Sequence, residues 1–249
     1  MPYTKYTHLE HILARPDTYV GSLVPDVSKQ WVVKDERMVE KQVTHIGGLV
    51  KIYDEILVNA IDQSTEPSNG VDKIHIEVTD GYISICNNGK GVPIEKHDEY
   101  ATWIPEMIFG ELLTSSNYDD SEQRTTGGRN GYGAKLANIF SKTFTIDTAC
   151  VSSKQRYVQT WTNNMSEKTK PKITKYSKSK GYTKITFTPD LEKFGMKSMD
   201  EDTIDLFKRR AYDTCACTAP NVNVYYNGKL LPCKTFEKYV DLYITTKKV

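Results

Sequence analysis

The clearest periodic pattern in the chain runs from residue 48 to residue 63. Apolar side chains recur there three and four positions apart, which predicts a helix with one buried face. That face consists of Leu49, Ile52, Tyr53, Ile56, Leu57, Ala60 and Ile61. The glycine pair at 47–48 is expected to open this helix. A shorter helical patch over His8–Ala14 should end before Pro16, because the residue preceding a proline avoids the α region. The rest of residues 1–30 is expected to be irregular.

Alternating apolar and polar residues predict strands at several places. Two short strands near residues 74–78 and 83–85 are separated by Asp80-Gly81, a dipeptide typical of a tight hairpin turn. Asn227-Gly228 predicts a second hairpin later in the chain. The arms of that hairpin are 222–226 and 229–232, and further strand-like runs cover 143–151, 155–161 and 182–188.

Three further helices complete the predicted elements. They cover residues 103–113, residues 132–141 and a stretch to about Cys215, for which Ser198 and Glu201 form a capping box. Residues 114–131 are polar and rich in glycine, which indicates a long flexible loop. Because strands and helices mix without regular βαβ alternation, we expect an α+β fold, with a mixed or antiparallel sheet and helices on one face.

Composition places the chain among ordinary soluble globular proteins. Its 249 residues fit one large domain, with 38% hydrophobic and 26% charged residues. No apolar run approaches the roughly 18–20 residues of a membrane span, and the N-terminal sequence is not that of a secretory signal, so an intracellular protein without a membrane partner is expected. The five cysteines form no C-x-x-C pair, which favours reduced core thiols; they are Cys86, Cys150, Cys215, Cys217 and Cys233.

The net charge of +1 argues against a protein covered with DNA-binding charge. One basic segment stands out, and its lysines are Lys168, Lys170, Lys172, Lys175, Lys178 and Lys180. Such a segment is more often a solvated hairpin or loop, and it lacks the interleaved aromatic residues of a base-stacking surface. Contact with a phosphate backbone remains the alternative.

Three polar side chains share one face of the 48–63 helix, apart from its apolar stripe. Glu55, Asn59 and Asp62 lie at positions i, i+4 and i+7. Glu55 could take a proton from an attacking water, and Asn59 could offer an amide oxygen to Mg²⁺. Asp62 could order water or contact the base end of a ligand. The alternative is an ordinary solvated helix face.

Two glycine-rich segments point to a phosphate-bearing ligand. In NNGKGVP (87–93), Gly89 and Gly91 allow close backbone approach, and the amide of Asn87 suits the amino edge of adenine. This segment alone could be a strand-ending turn. TGGRNGYGAK (126–135) is stronger, because four glycines before a helix start expose backbone N–H groups to an anion. Its spacing fits neither a Walker A loop nor a dinucleotide fingerprint, and a plain glycine hinge is the alternative.

These motifs, in this order, resemble the GHKL (Bergerat) ATPases. The resemblance extends through LEHILARPDTYVGS (9–22), KIYDEILVNAID (51–62), LLTSSNYDD (112–120), YTKITFTPDLEKF (182–194), RRAYD (209–213) and NGKLLPCKTFEKYVDLY (227–243). In these stretches the chain is similar to the N-terminal ATPase domain of eukaryotic-type type II DNA topoisomerases. The resemblance implies a two-layer α/β sandwich with a mixed, mostly antiparallel sheet.

The resemblance also implies a role for individual positions. Glu55 matches the general base, Asn59 the Mg²⁺ ligand and Asn87 the adenine contact. Ser115, Ser116 and Asn117 match ribose and phosphate contacts on a mobile lid, and Thr183 matches a nucleotide-contacting threonine. The phosphate loop that the resemblance implies consists of Arg129, Asn130, Gly131, Tyr132, Gly133, Ala134 and Lys135.

The function expected from the resemblance is an ATP- and Mg²⁺-dependent dimer gate for the passage of duplex DNA. Residues 1–30, with Tyr3, would form an arm that joins two subunits into a homodimer; 31–235 would be the ATPase domain and 236–249 the start of a transducer domain. Since the transducer would supply a lysine to the γ-phosphate, slow or absent hydrolysis is expected of the chain alone. The alternative is a nucleotide-dependent dimerisation or sensor module without catalysis. The location would be nuclear in a cellular eukaryote, or the host cytoplasm or viral factory for a virus.

Overall fold

The computed structural model describes residues 5–112 and 131–244. Its strands are β1 (Asp26–Lys34), β2 (Arg37–His45), β3 (Lys73–Val78), β4 (Ile83–Gly89), β5 (Ser141–Cys150), β6 (Gln155–Thr162), β7 (Glu167–Lys168), β8 (Lys172–Lys175), β9 (Gly181–Pro189), β10 (Asn223–Tyr226) and β11 (Lys229–Leu230). Its helices are α1 (His8–Ala14), α2 (Pro16–Tyr19), α3 (Gly47–Thr65), α4 (Ile104–Gly110), α5 (Gly133–Ile139), α6 (Glu201–Cys217) and α7 (Phe236–Val240).

A single large sheet forms one layer of the molecule. Its strand order is β11-β10-β3-β4-β9-β5-β6-β7, and β8 also pairs with β6. Among the described strands, β10 and β3 are the one parallel pair, and all other pairs are antiparallel. The predicted mixed, mostly antiparallel sheet is confirmed.

Helices cover one face of this sheet. Along β3, Ile74, Ile76 and Val78 are buried while the intervening side chains are exposed, as expected for a strand with one solvated face. Helices α3, α4, α5 and α6 all contact strands of the sheet. Tyr53 of α3 stacks on Phe207 of α6 with ring centroids 4.2 Å apart. The buried stripe predicted on α3 therefore joins the sheet to a second helix.

A second, two-stranded sheet was not predicted from the sequence. Strands β1 and β2 form an antiparallel hairpin that packs on α6 through Val32, Val43 and Leu206. Its turn places Asp35 and Glu36 at φ of 48° and 59°, without the glycine that usually marks such a turn. Residues 26–30 belong to β1, so the expectation of irregular structure there was wrong.

The start of α6 differs from the predicted capping box. Asp200, not Ser198, is the N-cap, and its carboxylate accepts a hydrogen bond of 2.8 Å from the Thr203 N–H. Glu201 instead contacts Lys34 at 2.8 Å. The capping-box prediction was wrong because an aspartate beside the first turn caps it directly.

The other local predictions agree well with the structure. Asn227 and Gly228 both have positive φ, at 47° and 78°, as a two-residue hairpin turn requires. Helix α1 ends at Ala14, although Pro16 then opens the short helix α2. All five cysteines are free thiols, but Cys217 is exposed and not a core residue. No helix in residues 5–112 or 131–244 is long and apolar enough to cross a membrane.

Candidate functional site

The carboxylate of Glu55 lies directly against the N-terminus of α5. A methyl group placed on Gly133, the first residue of α5, would come within 1.8 Å of Glu55 Oε2. Lys51, one turn earlier on α3, forms an ion pair with Glu55 Oε1. The helix packing therefore brings the predicted base to the end of the glycine-rich segment, where helical N–H groups favour negative charge.

Asn59 and Asp62 follow Glu55 along α3, and both are partly exposed. The described residues contain no cluster of three or more His, Cys, Asp or Glu side chains suited to a metal ion. An amide oxygen at Asn59 fits Mg²⁺ that keeps most of its ligands as water and phosphate oxygens. The residues present are compatible with such an ion beside Glu55.

Lys135 is buried in the first turns of α5 with 1% of its surface exposed. Burial lowers the pKa of its ammonium group to about 8, and the nearby charge of Glu111 acts in the opposite direction. A buried ammonium is costly unless it meets negative charge. Lys135 lies on the same helix as Gly133, two residues further on, so its positive charge is close to the helix start at which a phosphate-bearing ligand is predicted.

Asn87 and Thr183 stand opposite each other on the neighbouring strands β4 and β9. Thr148 of β5 stands opposite Thr183 in turn, and the two threonine hydroxyl oxygens are 3.3 Å apart. Asn87 is buried, and Thr148 is fully buried. These three side chains form a polar row on the helix-covered side of the sheet, next to the apolar row of Ile85, Ile185 and Ile146.

Thr148 was not predicted as a site residue. Its hydroxyl donates to the carbonyl oxygen of Tyr182 at 2.8 Å and accepts from the N–H of Val92 at 3.0 Å. Thr148 therefore joins the turn after β4 to the start of β9. A threonine within a strand carries no sequence signal for this position, since threonine is common in strands.

The turn after β4 needs its glycines. Gly89 and Gly91 have φ of 133° and 76°, and a methyl group on Gly91 would come within 2.0 Å of the Ala149 carbonyl oxygen. The prediction of close backbone approach at NNGKGVP is confirmed. The turn packs directly on the end of β5, beside the polar row.

Tyr132, the residue preceding α5, contacts the N-terminal helices. Its hydroxyl lies 3.5 Å from Nε2 of His8, and the two ring centroids are 5.7 Å apart. The ring of Tyr19 lies 6.4 Å from that of Tyr132. The end of the glycine-rich segment thus contacts both α1 and α2.

The structure brings many of the predicted residues to one side of the sheet. Helix α3 contacts both α5 and β4, so Glu55, Lys135 and Asn87 belong to neighbouring elements. Gly131 has φ of 64°, and Ala134 is buried. The predicted site residues outside the described part of the chain are Ser115, Ser116, Asn117, Arg129 and Asn130.

Replacing Gly133 with alanine tests the contact between α3 and α5. The new methyl group would displace the end of the Glu55 side chain, which is flexible, and would leave the backbone in place. We expect the free energy of unfolding to change by less than about 1 kcal/mol, because alanine favours a helix over glycine. In the longest form of the protein that hydrolyses ATP, the hydrolysis rate should fall at least about tenfold, because the methyl group displaces the carboxylate of Glu55 from the helix start.

The matched control is Gly91→Ala, in which the methyl group meets backbone at a positive φ. This variant should unfold at a lower temperature, whereas Gly133→Ala should not. A Gly133→Ala chain with unchanged hydrolysis would contradict the placement of Glu55 at the reaction centre. Thermal unfolding and phosphate release are the two measurements.

Comparison with known proteins identifies the family. Residues 44–193, which contain Glu55, Asn87 and Lys135, match the model of the histidine kinase-, DNA gyrase B- and HSP90-like ATPases. The chain belongs to this ATPase family. The predicted GHKL fold is confirmed by this match and by the solved structures below.

Curated relatives similar to this ATPase domain include DNA topoisomerases. DNA topoisomerase 2 of Saccharomyces cerevisiae is 51% identical over 245 residues, which cover 97% of the chain and 17% of that protein. DNA topoisomerase 2-beta of Gallus gallus is 51% identical over 247 residues, which cover 98% of the chain and 15% of that protein. The chain thus spans about one sixth of the length of the curated relatives it matches.

Solved structures show the same ATPase fold. The ATPase region of Saccharomyces cerevisiae topoisomerase II superposes with a TM-score of 0.93 at 51% identity, covering 97% of the chain and 64% of that structure. The ATPase and transducer domains of DNA topoisomerase II from Balamuthia mandrillaris superpose with a TM-score of 0.91 at 45% identity, covering 97% of the chain and 63% of that structure. The expected resemblance to the topoisomerase ATPase region is confirmed.

Proposed function

We propose that this ATPase domain is the N-gate of a type II DNA topoisomerase, which binds and hydrolyses Mg·ATP to close a dimer around duplex DNA. The observation that carries the proposal is the contact of Glu55 with the start of α5, the helix that also contains the buried Lys135. The relatives named DNA topoisomerase 2 support the wider role.

Each of the site residues has a different role toward the nucleotide. Glu55 accepts the proton of the attacking water, and the ammonium group of Lys135 pairs with phosphate oxygens. Asn59 would hold Mg²⁺, which supplies positive charge to the phosphate oxygens when bound. Asn87 and Thr183 contact the nucleotide from the polar row on the sheet, and Asp62 lies further along α3. Contacts from Ser115, Ser116, Asn117, Arg129 and Asn130 rest on the family resemblance.

Dimer closure would begin at Tyr132. Because Tyr132 contacts His8 and Tyr19, a nucleotide bound beside Tyr132 also favours one arrangement of the N-terminal arm. The arm, residues 1–30, then joins a second copy of the chain. In the proposed organisation residues 31–235 form the ATPase domain and 236–249 begin the transducer domain. The position of Glu55 favours hydrolysis over a purely sensory role.

The pH dependence of ATP binding tests this assignment. In the free protein the pKa of Lys135 is about 8, below the 10.5 of an ordinary lysine, so it loses its proton above pH 8. Phosphate binding requires the ammonium form. We expect the affinity for Mg·ATP to fall by up to about tenfold for each pH unit above 8, with proton uptake on binding. Calorimetry in two buffers of different ionisation enthalpy measures both quantities.

The control is Lys135→Met, which keeps an apolar stem of similar volume. It should bind Mg·ATP at least about tenfold more weakly at pH 7, and with no pH dependence between 8 and 9.5. In the nucleotide-free chain, the free energy of unfolding should rise from pH 8 to 10.5, because the unfolded state retains the proton of Lys135 over this range.

Sedimentation velocity of the wild-type chain should show dimers in the presence of a non-hydrolysable ATP analogue. Absence of Mg·ATP binding to the wild-type chain at millimolar nucleotide would overturn the proposed function.

A further inference from the structure

The basic segment of residues 166–180 forms one edge of the large sheet. Strands β7 and β8 both pair with β6, and we call residues 166–180 the lysine edge. It holds six lysines and one glutamate, a net charge of +5, whereas the whole chain carries +1. The remaining residues therefore have a net charge of −4. A polyanion would be attracted to this edge and repelled by much of the remaining surface.

Two lysines of the edge are already paired. Lys168 contacts Glu106 of α4 at 2.5 Å, and Lys180 contacts Asp72, whose pKa it holds below the ordinary value. Within the part of the chain that the structure describes, the other four form no ion pair, and all four are exposed: Lys170, Lys172, Lys175 and Lys178. These four ammonium groups are accessible to a charged partner.

The open face of the sheet beside the lysine edge adds little competing negative charge. Asp147 of β5 accepts two hydrogen bonds from Arg156 of β6, at 2.8 and 2.6 Å, and a third from the Tyr182 hydroxyl at 2.8 Å. Arg156 stands opposite Thr174 of β8. The carboxylate of Asp147 is thus neutralised by its own neighbours, and within the edge Glu167 is the one acidic residue, against six lysines.

We propose that the lysine edge binds the phosphate backbone of a DNA duplex. Charge complementarity carries this assignment, since lysine contacts with phosphates release counterions and supply affinity without reading sequence. It goes beyond the proposed function, because nothing in that proposal places a DNA contact on the ATPase domain. The polar row and α5 lie on the helix-covered side of the sheet, so nucleotide binding does not require these lysines.

The aromatic residues near the edge favour a duplex over a single strand. Tyr176 and Tyr182 pack edge to face with their centroids 6.1 Å apart, and both hydroxyls donate within the protein. Single-stranded nucleic acid is typically bound by aromatic rings on which successive bases stack. A tyrosine pair that packs on itself does not form a row of such rings.

A protective role is the physical alternative. Lysines on an edge strand discourage pairing with the edge of another sheet, whatever else they contact. Under this alternative the lysines would improve solubility, and binding of DNA would depend on the overall charge of the chain alone. The two explanations therefore differ in whether the position of the lysines matters.

The test measures binding of a short fluorescent duplex to the full 249-residue chain by anisotropy over a range of salt concentrations. If four phosphates are neutralised, log K should fall with log[salt] with a slope of about −3.6. In the test variant, four lysines become glutamine: Lys170→Gln, Lys172→Gln, Lys175→Gln and Lys178→Gln. At about 50 mM salt this variant should bind at least about tenfold more weakly, with most of the slope lost.

The matched control replaces four exposed lysines elsewhere: Lys29→Gln, Lys197→Gln, Lys229→Gln and Lys234→Gln. Both variants change the net charge from +1 to −3, so the overall charge is matched and the position of the lysines is the main difference. Among the control lysines, Lys29 also lies 3.8 Å from the carboxylate of Glu40. The control should retain affinity within about threefold and keep its salt slope. Equal losses in both variants, no measurable binding by the wild-type chain, or tighter binding of a single strand than of the duplex would each overturn the proposal. Since the assay contains no nucleotide, none of these outcomes bears on the proposed ATPase function. The affinity for Mg·ATP should be unchanged in both variants.

Discussion

Replacing Glu55 with glutamine should slow ATP hydrolysis by about 10²–10⁴-fold, the usual contribution of a general base. Glutamine has the same size and can still lie against Gly133, but it cannot accept a proton from water. Affinity for Mg·ATP should stay within about threefold of the wild-type value, because the lost interaction acts in the transition state. Single-turnover phosphate release and calorimetry measure the two effects, in the longest form of the protein that hydrolyses ATP.

A control for this substitution is Glu95→Gln, which removes an exposed carboxylate away from α3. It should leave hydrolysis within about twofold of the wild-type rate, as is usual for an exposed site. If Glu55→Gln hydrolyses ATP at the same rate as Glu95→Gln, another group activates the water. The family membership would stand, and the assignment of the base to α3 would not.

Replacing Arg210 with methionine should cost about 2–4 kcal/mol of the free energy of unfolding. Arg210 joins α3 to α6: its Nε donates to Asp54 at 2.8 Å, and its Nη1 donates to Asp213 at 2.8 Å. Asp213 is buried and Asp54 is partly buried, so removal of the guanidinium leaves Asp54 without its paired cation and Asp213 with only the contacts from Arg209 and Tyr239. Chemical denaturation at pH 7 measures the change.

The pH dependence of the free energy of unfolding lost in Arg210→Met identifies the cause of that loss. Burial raises the pKa of Asp54 even though Arg210 opposes the shift, and without Arg210 that pKa should rise further. When the pKa of a carboxyl is higher in the folded state than in the unfolded state, the free energy of unfolding falls as pH rises. The difference in this free energy between the wild-type chain and the variant should therefore shrink from pH 7 to pH 5. Arg209→Met is the control, since Arg209 makes only a 3.3 Å ion pair with Asp213. An equal deficit in both variants would show that the paired carboxylates are not the reason.

Asp54 and Glu55 are adjacent on α3, so the Arg210 network also bears on the site. Tyr239 of α7 donates a 2.6 Å hydrogen bond to Asp213, and its hydroxyl oxygen lies 2.8 Å from that of Tyr243. One connected set of side chains therefore runs from the helix of the proposed base to the last described residues of the chain. Sequence periodicity could not reveal this set, because its members lie on α3, on α6 and in the segment of α7 and Tyr243, which are separated along the chain.

Elements with strong local signals could be predicted from the sequence. The apolar stripe of α3 and the alternating residues of β3 were found because burial on one face imposes a period of 3.6 or 2. The turn at Asn227-Gly228 was found because two successive positive φ angles favour these residues. The hairpin of β1 and β2 was missed, since its turn has no glycine and its burial depends on α6.

The sequence by itself determined the elements of the core, the residue types of an ATP site and the family to which they point. Only the tertiary structure decided which residues meet: Glu55 with Gly133, Asn87 with Thr183, Thr183 with Thr148, and Arg210 with Asp54. Strand register and helix packing are set by contacts between residues distant along the chain, and local periodicity does not encode them. For the same reason the sequence shows the lysines of 166–180 only as a basic segment, whereas the pairing of β7 and β8 with β6 places them along one edge of the sheet.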